Sequence, residues 1–211
     1  MKTEKIKVFV QNSIRISTEK GNVYIDPFEM KEEPHDAAFI LVTHDHFDHF
    51  SPESIVKVAN TDTVLVVPKN MLGKAGEVSK YVSEVVTVNP GEKKVIKGLE
   101  IETVASYNIE KPFHPKAAGW VGYVVIVEGE RIYAAGDTDV TPEAKAVKCD
   151  VALVPVGGTY TMDAEAAAGL MNAIKPSVAI PVHYGKVVGT PNDGKIFAGL
   201  VKAPIKTEIM I

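Results

Sequence analysis

Cysteine is almost missing from this chain. Cys149 stands alone among 211 residues, which excludes an intramolecular disulfide and any cysteine-rich zinc knuckle. It reads as a small buried apolar group. Long apolar runs are missing as well: none approaches the roughly 20 residues that a helix needs to span a bilayer. Met1-Lys2-Thr3-Glu4-Lys5 leads into a short strand rather than an apolar signal core. The expected location is therefore cytoplasmic, with no membrane partner. Charge of one sign is also scarce. The net charge is −4, and the basic residues are scattered with no stripe, so no nucleic-acid partner is expected. Linkers and low-complexity tracts are absent. Apolar content of 45% is that of an ordinary globule, and residues 1–211 read as one well-filled domain.

What is present is an orderly run of elements. Strands are expected at 6–10, 13–17 and 23–25, with turn residues between them. A buried strand at 37–42 follows. Ser51-Pro52-Glu53 supplies an N-cap, a proline at the first helical position and an early acid, so a helix starts there. A strand at 63–67, a helix at 71–80 and strands at 85–88, 94–96 and 99–104 come next. An irregular stretch, 107–119, separates these from strands at 121–127 and 131–135. Thr141-Pro142-Glu143 repeats the helix-start pattern. The last part alternates: strand 151–156, helix 163–174, strand 178–182, helix 194–201 and a final strand at 208–211. The pattern predicts an α/β architecture of two packed sheets with helices on the outer faces.

Half of the six histidines lie in Thr43-His44-Asp45-His46-Phe47-Asp48-His49. Neutral imidazoles and carboxylates are ligands for zinc and similar divalent ions. The apolar run Ala37 to Val42 delivers the cluster to a strand end, where α/β proteins commonly place catalytic groups. His44 and His46 point the same way in extended backbone, so both can grip one ion. Asp48 and His49 lie beyond a bend and can serve a second. Two ions close together make water a nucleophile near neutral pH. Asp137, after Ile132 to Ala135 and the permissive Gly136, is a candidate bridge between them. His183, at the end of Val178 to Val182, is a further ligand candidate.

His44-Asp45-His46-Phe47-Asp48-His49 resembles the HxHxDH motif of the metallo-β-lactamase-fold superfamily. Gly136-Asp137-Thr138 and His183 stand in the order of its bridging aspartate and last histidine. Residues 131–139, 153–162 and 180–184 look like one branch, that of the ascorbate-6-phosphate lactonase-like hydrolases. The resemblance implies a four-layer αββα sandwich of two mixed sheets and a one- or two-metal site. It also implies hydrolysis of an ester, lactone, phosphodiester or amide in a small, anionic substrate. Metal ligands would be His44, His46, Asp48, His49, Asp137 and His183, with Asp48 and Asp137 also handling water or a proton. Zinc fits the donors, and manganese or iron could occupy the same set.

One departure is visible. Relatives carry a further histidine shortly after the strand equivalent to 99–104, where this chain reads Ala105-Ser106-Tyr107-Asn108. Three outcomes are open: His114 returns to the metal, Tyr107 or water replaces the histidine, or that half binds metal weakly. The departure also keeps open a non-enzymatic metal-binding or sensing role. Nuclease action is disfavoured by the acidic charge and by a length that leaves little room for an inserted domain. The loop Gly157 to Thr161, with Tyr160, follows a strand and opens a helix, which suits either a substrate anion or a simple turn. Lys111, Lys116 and Lys186 lie near these loops. Assembly into a homo-oligomer is open.

Overall fold

The computed structural model describes residues 3–211. Six strands form the first sheet: β1 (Ile6–Val8), β2 (Ile14–Thr18), β3 (Gly21–Ile25), β4 (Ala37–Leu41), β5 (Val64–Pro68) and β6 (Glu84–Val88), in that spatial order. β1 to β3 are antiparallel, and β3 to β6 run parallel. The second sheet holds β7 (Lys93–Ile96), β8 (Leu99–Ala105), β9 (Val121–Val127), β10 (Glu130–Ala134), β11 (Val151–Pro155), β12 (Val178–Val182) and β13 (Lys206–Thr207), again in chain order. Its first half is antiparallel and its second half, from β10 to β13, is parallel. The helices are α1 (Pro52–Val58), α2 (Leu72–Ala75), α3 (Pro142–Ala146), α4 (Ala164–Ile174) and α5 (Asp193–Leu200).

The layering follows from alternation along each strand. On β3, Val23 and Ile25 join the central core while Tyr24 faces the opposite side; on β11, Val151 and Leu153 point in and Ala152 and Val154 point out. Both faces are covered. The central cluster unites inward residues of the two sheets. Tyr24, Ile40 and Leu65 pack under α1 with Ile55 and Val58. Tyr133, Ala152 and Val154 pack under α4 and α5 with Ala167, Met171 and Phe197. The fold is therefore the expected αββα sandwich, and strands buried on both faces explain why the sequence reads as continuous apolar runs.

The expected helix starts are formed. Ser51 Oγ accepts from Ser54 N ahead of Pro52, Thr141 does the same for Ala144 N ahead of Pro142, and Asp163 for Ala166 N. Three expectations need correction. The helix expected at 71–80 is a single turn, α2, flanked by 3-10 turns at Lys69–Met71 and Ser79–Tyr81; Gly73 and Gly76 within four residues dissolve it. The hairpin turn sits at Glu128-Gly129, both with positive φ, so β10 starts one residue earlier, at Glu130. The last strand is Lys206–Thr207, and Glu208 to Ile211 form none. Met210 and Ile211 instead lean on the core through their side chains, and Ile211 O accepts from Tyr184 Oη at 2.6 Å.

Among the described residues no helix is long and apolar enough to cross a membrane.

Candidate metal centre

The parallel strands β4 and β12, with β10, all end at one edge of the sandwich, and each delivers a polar residue there. Thr43 follows β4 and ties the sheets together: its carbonyl accepts from Val121 N at 3.2 Å, while Tyr123 Oη donates to Val42 O at 2.8 Å. After His46 the chain bends back, with His49 N and Phe50 N both donating to His46 O. Beyond that bend Asp48 joins His49 and His183 in one donor set, while the His49 ring stays 3.9 Å from that of His44. Gly136 carries Asp137 out of β10 at φ 64°, and a Cβ there would lie 3.2 Å from Thr43, so the turn needs glycine.

Two donor groups result, joined by Asp137. His44, His46 and His114 offer ligand atoms within 4.8 Å of one another, as do Asp48, His49 and His183. His44, His49 and Asp137 form a third such set that links them. Asp137 Oδ2 lies 3.4 Å from His114 Nε2 and 3.9 Å from His44 Nε2; its Oδ1 lies 3.3 Å from His49 Nε2 and 3.4 Å from His183 Nε2. His183 Nε2 is also 3.2 Å from Asp48 Oδ2. The loop 107–119 folds back and brings His114 into the place where the sequence lacked a histidine. Tyr107 does not join the group: its hydroxyl donates to Glu143 at 2.8 Å. Tyr160 stays at the rim, with its ring 4.7 Å edge-on from Phe113.

Three supporting side chains were not singled out from the sequence. Buried Asp26 accepts from Thr43 N at 2.8 Å, Thr43 Oγ1 at 2.6 Å, Asn12 Nδ2 at 2.8 Å and His49 Nδ1 at 2.7 Å. Thr43 gives its only proton to Asp26, so its oxygen accepts from His44 Nδ1 at 2.9 Å. Asn108 Oδ1 accepts from His114 N at 3.1 Å and from His114 Nδ1 at 3.0 Å. In each case the partner oxygen accepts from Nδ1 and so keeps the proton there, and Nε2 is left to face the centre. The one signal in the sequence was positional: Asp26 closes the strand β3 as Asp137 closes β10. Trp120, the single tryptophan, walls one side, its ring 5.1 Å from those of His44 and His46.

The electrostatics suit a cation. Burial pushes His44 well below the ordinary imidazole value of 6.5, and His49 and His114 add to the effect. Burial also lowers His46, with His114 acting in the same direction. For Asp137 burial opposes ionisation, but His183 and His49 outweigh it and hold the carboxyl well below its ordinary range. Asp48 is lowered likewise: burial works against it, and the contact with His183 prevails. His49 goes the other way. Burial would lower it, yet Asp137 and Asp26 together hold it well above 6.5. Ionised carboxylates beside the neutral His44 and His46, with His49 drawn toward its charged form, call for positive charge at this point. His49 Nε2, His114 Nε2 and Asp137 Oδ1 are buried without any hydrogen-bond partner. Orphaned buried polar atoms of this kind need an explanation, and a divalent ion bound by N and O donors provides one. The residues fit such an ion.

Two mixed sheets under outer helices, with this cluster where their strands end, define a protein of the metallo-β-lactamase fold. The comparisons agree. A family model described as "Beta-lactamase superfamily domain" matches residues 5–183. A UPF0173 metal-dependent hydrolase of Thermoplasma acidophilum is 33% identical over 201 residues, covering 86% of this chain and 85% of its own. A second, from Archaeoglobus fulgidus, is 30% identical over 206 residues, covering 90% and 87%. The crystal structure of a protein from Parabacteroides distasonis superposes with a TM-score of 0.81 at 28% identity, covering 97% of this chain and 91% of that one. A metallo hydrolase from Ignicoccus hospitalis gives 0.77 at 21% identity, covering 97% and 94%, and shows the fold alone. The chain belongs to the beta-lactamase superfamily and, within it, to the UPF0173 metal-dependent hydrolases.

Proposed function

We propose that this chain hydrolyses an ester, lactone or phosphodiester bond in a small, anionic molecule, with zinc as the resident ion and manganese or iron(II) as alternatives. The observation that carries the reading is the pair of donor groups meeting at Asp137, with ligand atoms left unpartnered. His44, His46 and His114 would hold one ion and Asp48, His49 and His183 a second, with Asp137 between them. Ions so held supply Lewis acidity and make water nucleophilic near neutral pH. The protein's own groups do the rest. Asp26, Thr43 and Asn108 fix imidazole tautomers, so donor positions are set before substrate arrives. Asp137, held ionised between the two donor groups, would help hold the ions and could pass on the proton that an attacking water releases. Asp48, beside His183, orients that water. The branch resemblance supports lactones and phosphorylated compounds as first substrates to try.

The test starts with protein purified without chelator. Elemental mass spectrometry should find about two ions per chain, the binuclear arrangement, and stripping them should abolish turnover on a phosphodiester and lactone panel. His46→Ala should lose both metal and activity. Full activity and full metal content in that variant would overturn the reading.

A further inference from the structure

We propose that the substrate carries an apolar acyl or aryl group, and that an aromatic rim at the mouth of the centre receives it. This rests on the hydrolytic reading above. Among the described residues four aromatic side chains are strongly exposed: Phe47, Tyr81, Phe113 and Tyr160. Phe47 and Phe113 stand on loops that carry donors of the site, and Tyr160 packs against Phe113. Phe47 is 65% exposed although it lies between His46 and Asp48, and Phe113 is 42% exposed directly before His114. The rings of His46 and His114 are 4.8 Å apart, so the two exposed rings are each one residue from neighbouring imidazoles. Both are held in place: Phe47 lies edge-on to Phe28 at 5.9 Å, and Phe113 edge-on to Tyr160 at 4.7 Å. Asn108 Nδ2 donates to Tyr160 O at 2.9 Å while its Oδ1 holds His114, which locks the rim to the centre.

Scattered exposed apolar residues are ordinary, but exposed rings directly beside the donors of a polar centre point to a ligand surface. The cations near these loops are already engaged. Lys111 pairs with Asp139 at 2.8 Å, Lys116 with Glu143 at 2.7 Å and Lys186 with Glu29 at 3.2 Å. Lys74 donates to Asp45 O. The surface beside the ligands that has no such commitment is aromatic. An acyl ester or lactone matches it. Water adds across the acyl C–O bond, the acyl carbon leaves as a carboxylic acid, the departing oxygen takes the proton, and the apolar chain rests on the rim throughout.

The experiment uses metal-loaded full-length protein and 4-nitrophenyl acetate, butyrate and hexanoate. Each buried methylene adds roughly threefold to fourfold, so kcat/KM should climb at least about tenfold from acetate to hexanoate. Phe47→Ala and Phe113→Ala should flatten that climb. Tyr81→Ala, an exposed ring on a turn elsewhere, should keep it. Hexanoate and acetate anions are titrated in parallel and read by Trp120 emission, which needs no turnover. Hydrolysis indifferent to chain length, with equal binding of the two anions, would overturn the rim while leaving the hydrolase intact. Hexanoate binding that Phe47→Ala abolishes, without hydrolysis of these esters or of the lactone and phosphodiester panel, would support the rim and sink the hydrolase instead. A dimer that Phe47→Ala dissociates, with no chain-length preference, would assign the rim to a second copy and overturn the proposal.

Discussion

Asp26→Asn keeps the shape of a buried side chain and removes the charge that holds His49. The amide can present either NH2 or oxygen to His49 Nδ1, so the tautomer with a free Nε2 is no longer enforced. Loss of such a partner lowers metal affinity by about 10- to 100-fold, to be measured by titration against a competing chelator; an unchanged affinity would make Asp26 structural only. His114 and Tyr107 can be separated in the same way. His114→Ala should lower metal content by about one ion per chain, since a three-ligand half-site falls to two. Tyr107→Phe should leave it unchanged, because the hydroxyl serves Glu143. At this scale the grouping of donors was most readable where they are close in the chain, as in His44 to His49, or stand at strand ends, as do Asp137 and His183. His114 and Asn108 depend on a loop folding back, which no local pattern encodes. Asp26 was passed over because Asp-Pro after a strand looks like an ordinary turn.

Between elements, Arg131 on β10 reaches across β9 to Glu102 on β8, with Nη1 and Nη2 on the two carboxylate oxygens at 2.9 and 3.0 Å. That bidentate contact, aided by Lys93, holds the Glu102 carboxyl down from 4.5 to about 2, against a smaller opposing effect of burial. A carboxyl whose folded-state value is depressed contributes its stability in full above the unfolded value. It loses that contribution as pH falls through the folded one. The window here runs from 4.5 down to about 2. The pair is partly exposed, so screening limits it to about 0.5–1 kcal/mol. Glu102→Gln should lower the unfolding free energy measured in urea by that amount at neutral pH, and the difference from wild type should vanish toward pH 2. A constant difference across the window would show that packing, not charge, is lost. Elements were legible wherever two cues agreed: cap, proline and acid for α1 and α3, or apolar runs between turns for β4, β11 and β12. They were misread where one cue stood alone. The apolar Ile209 to Ile211 looks like a strand, but Met210 and Ile211 reach the core without a ladder and Ile209 stays exposed.

The centre also bears on the stability of the whole molecule, because its donor groups come from both sheets. His44, His46, Asp48 and His49 follow β4 of the first sheet, whereas His114, Asp137 and His183 sit on loops of the second. An ion bound to both sets ties the two layers at the edge where the strands end. It also neutralises carboxylates that the fold has buried against their preference. Only the folded chain assembles these donors, so binding adds to folding free energy by about 2.7 kcal/mol when free metal is a hundred times Kd. For a chain of this size each kcal/mol moves the melting temperature by about 2–4 °C. Stripping the metal should therefore lower Tm by roughly 5–11 °C on those two figures, followed by circular dichroism with and without chelator. Re-addition of zinc should restore it. His46→Ala removes a ligand from the first-sheet side, so its response to chelator should be smaller than that of wild type. If chelator empties the protein of metal and Tm does not move, the ions add nothing to folding free energy and the link between the layers is not stabilising.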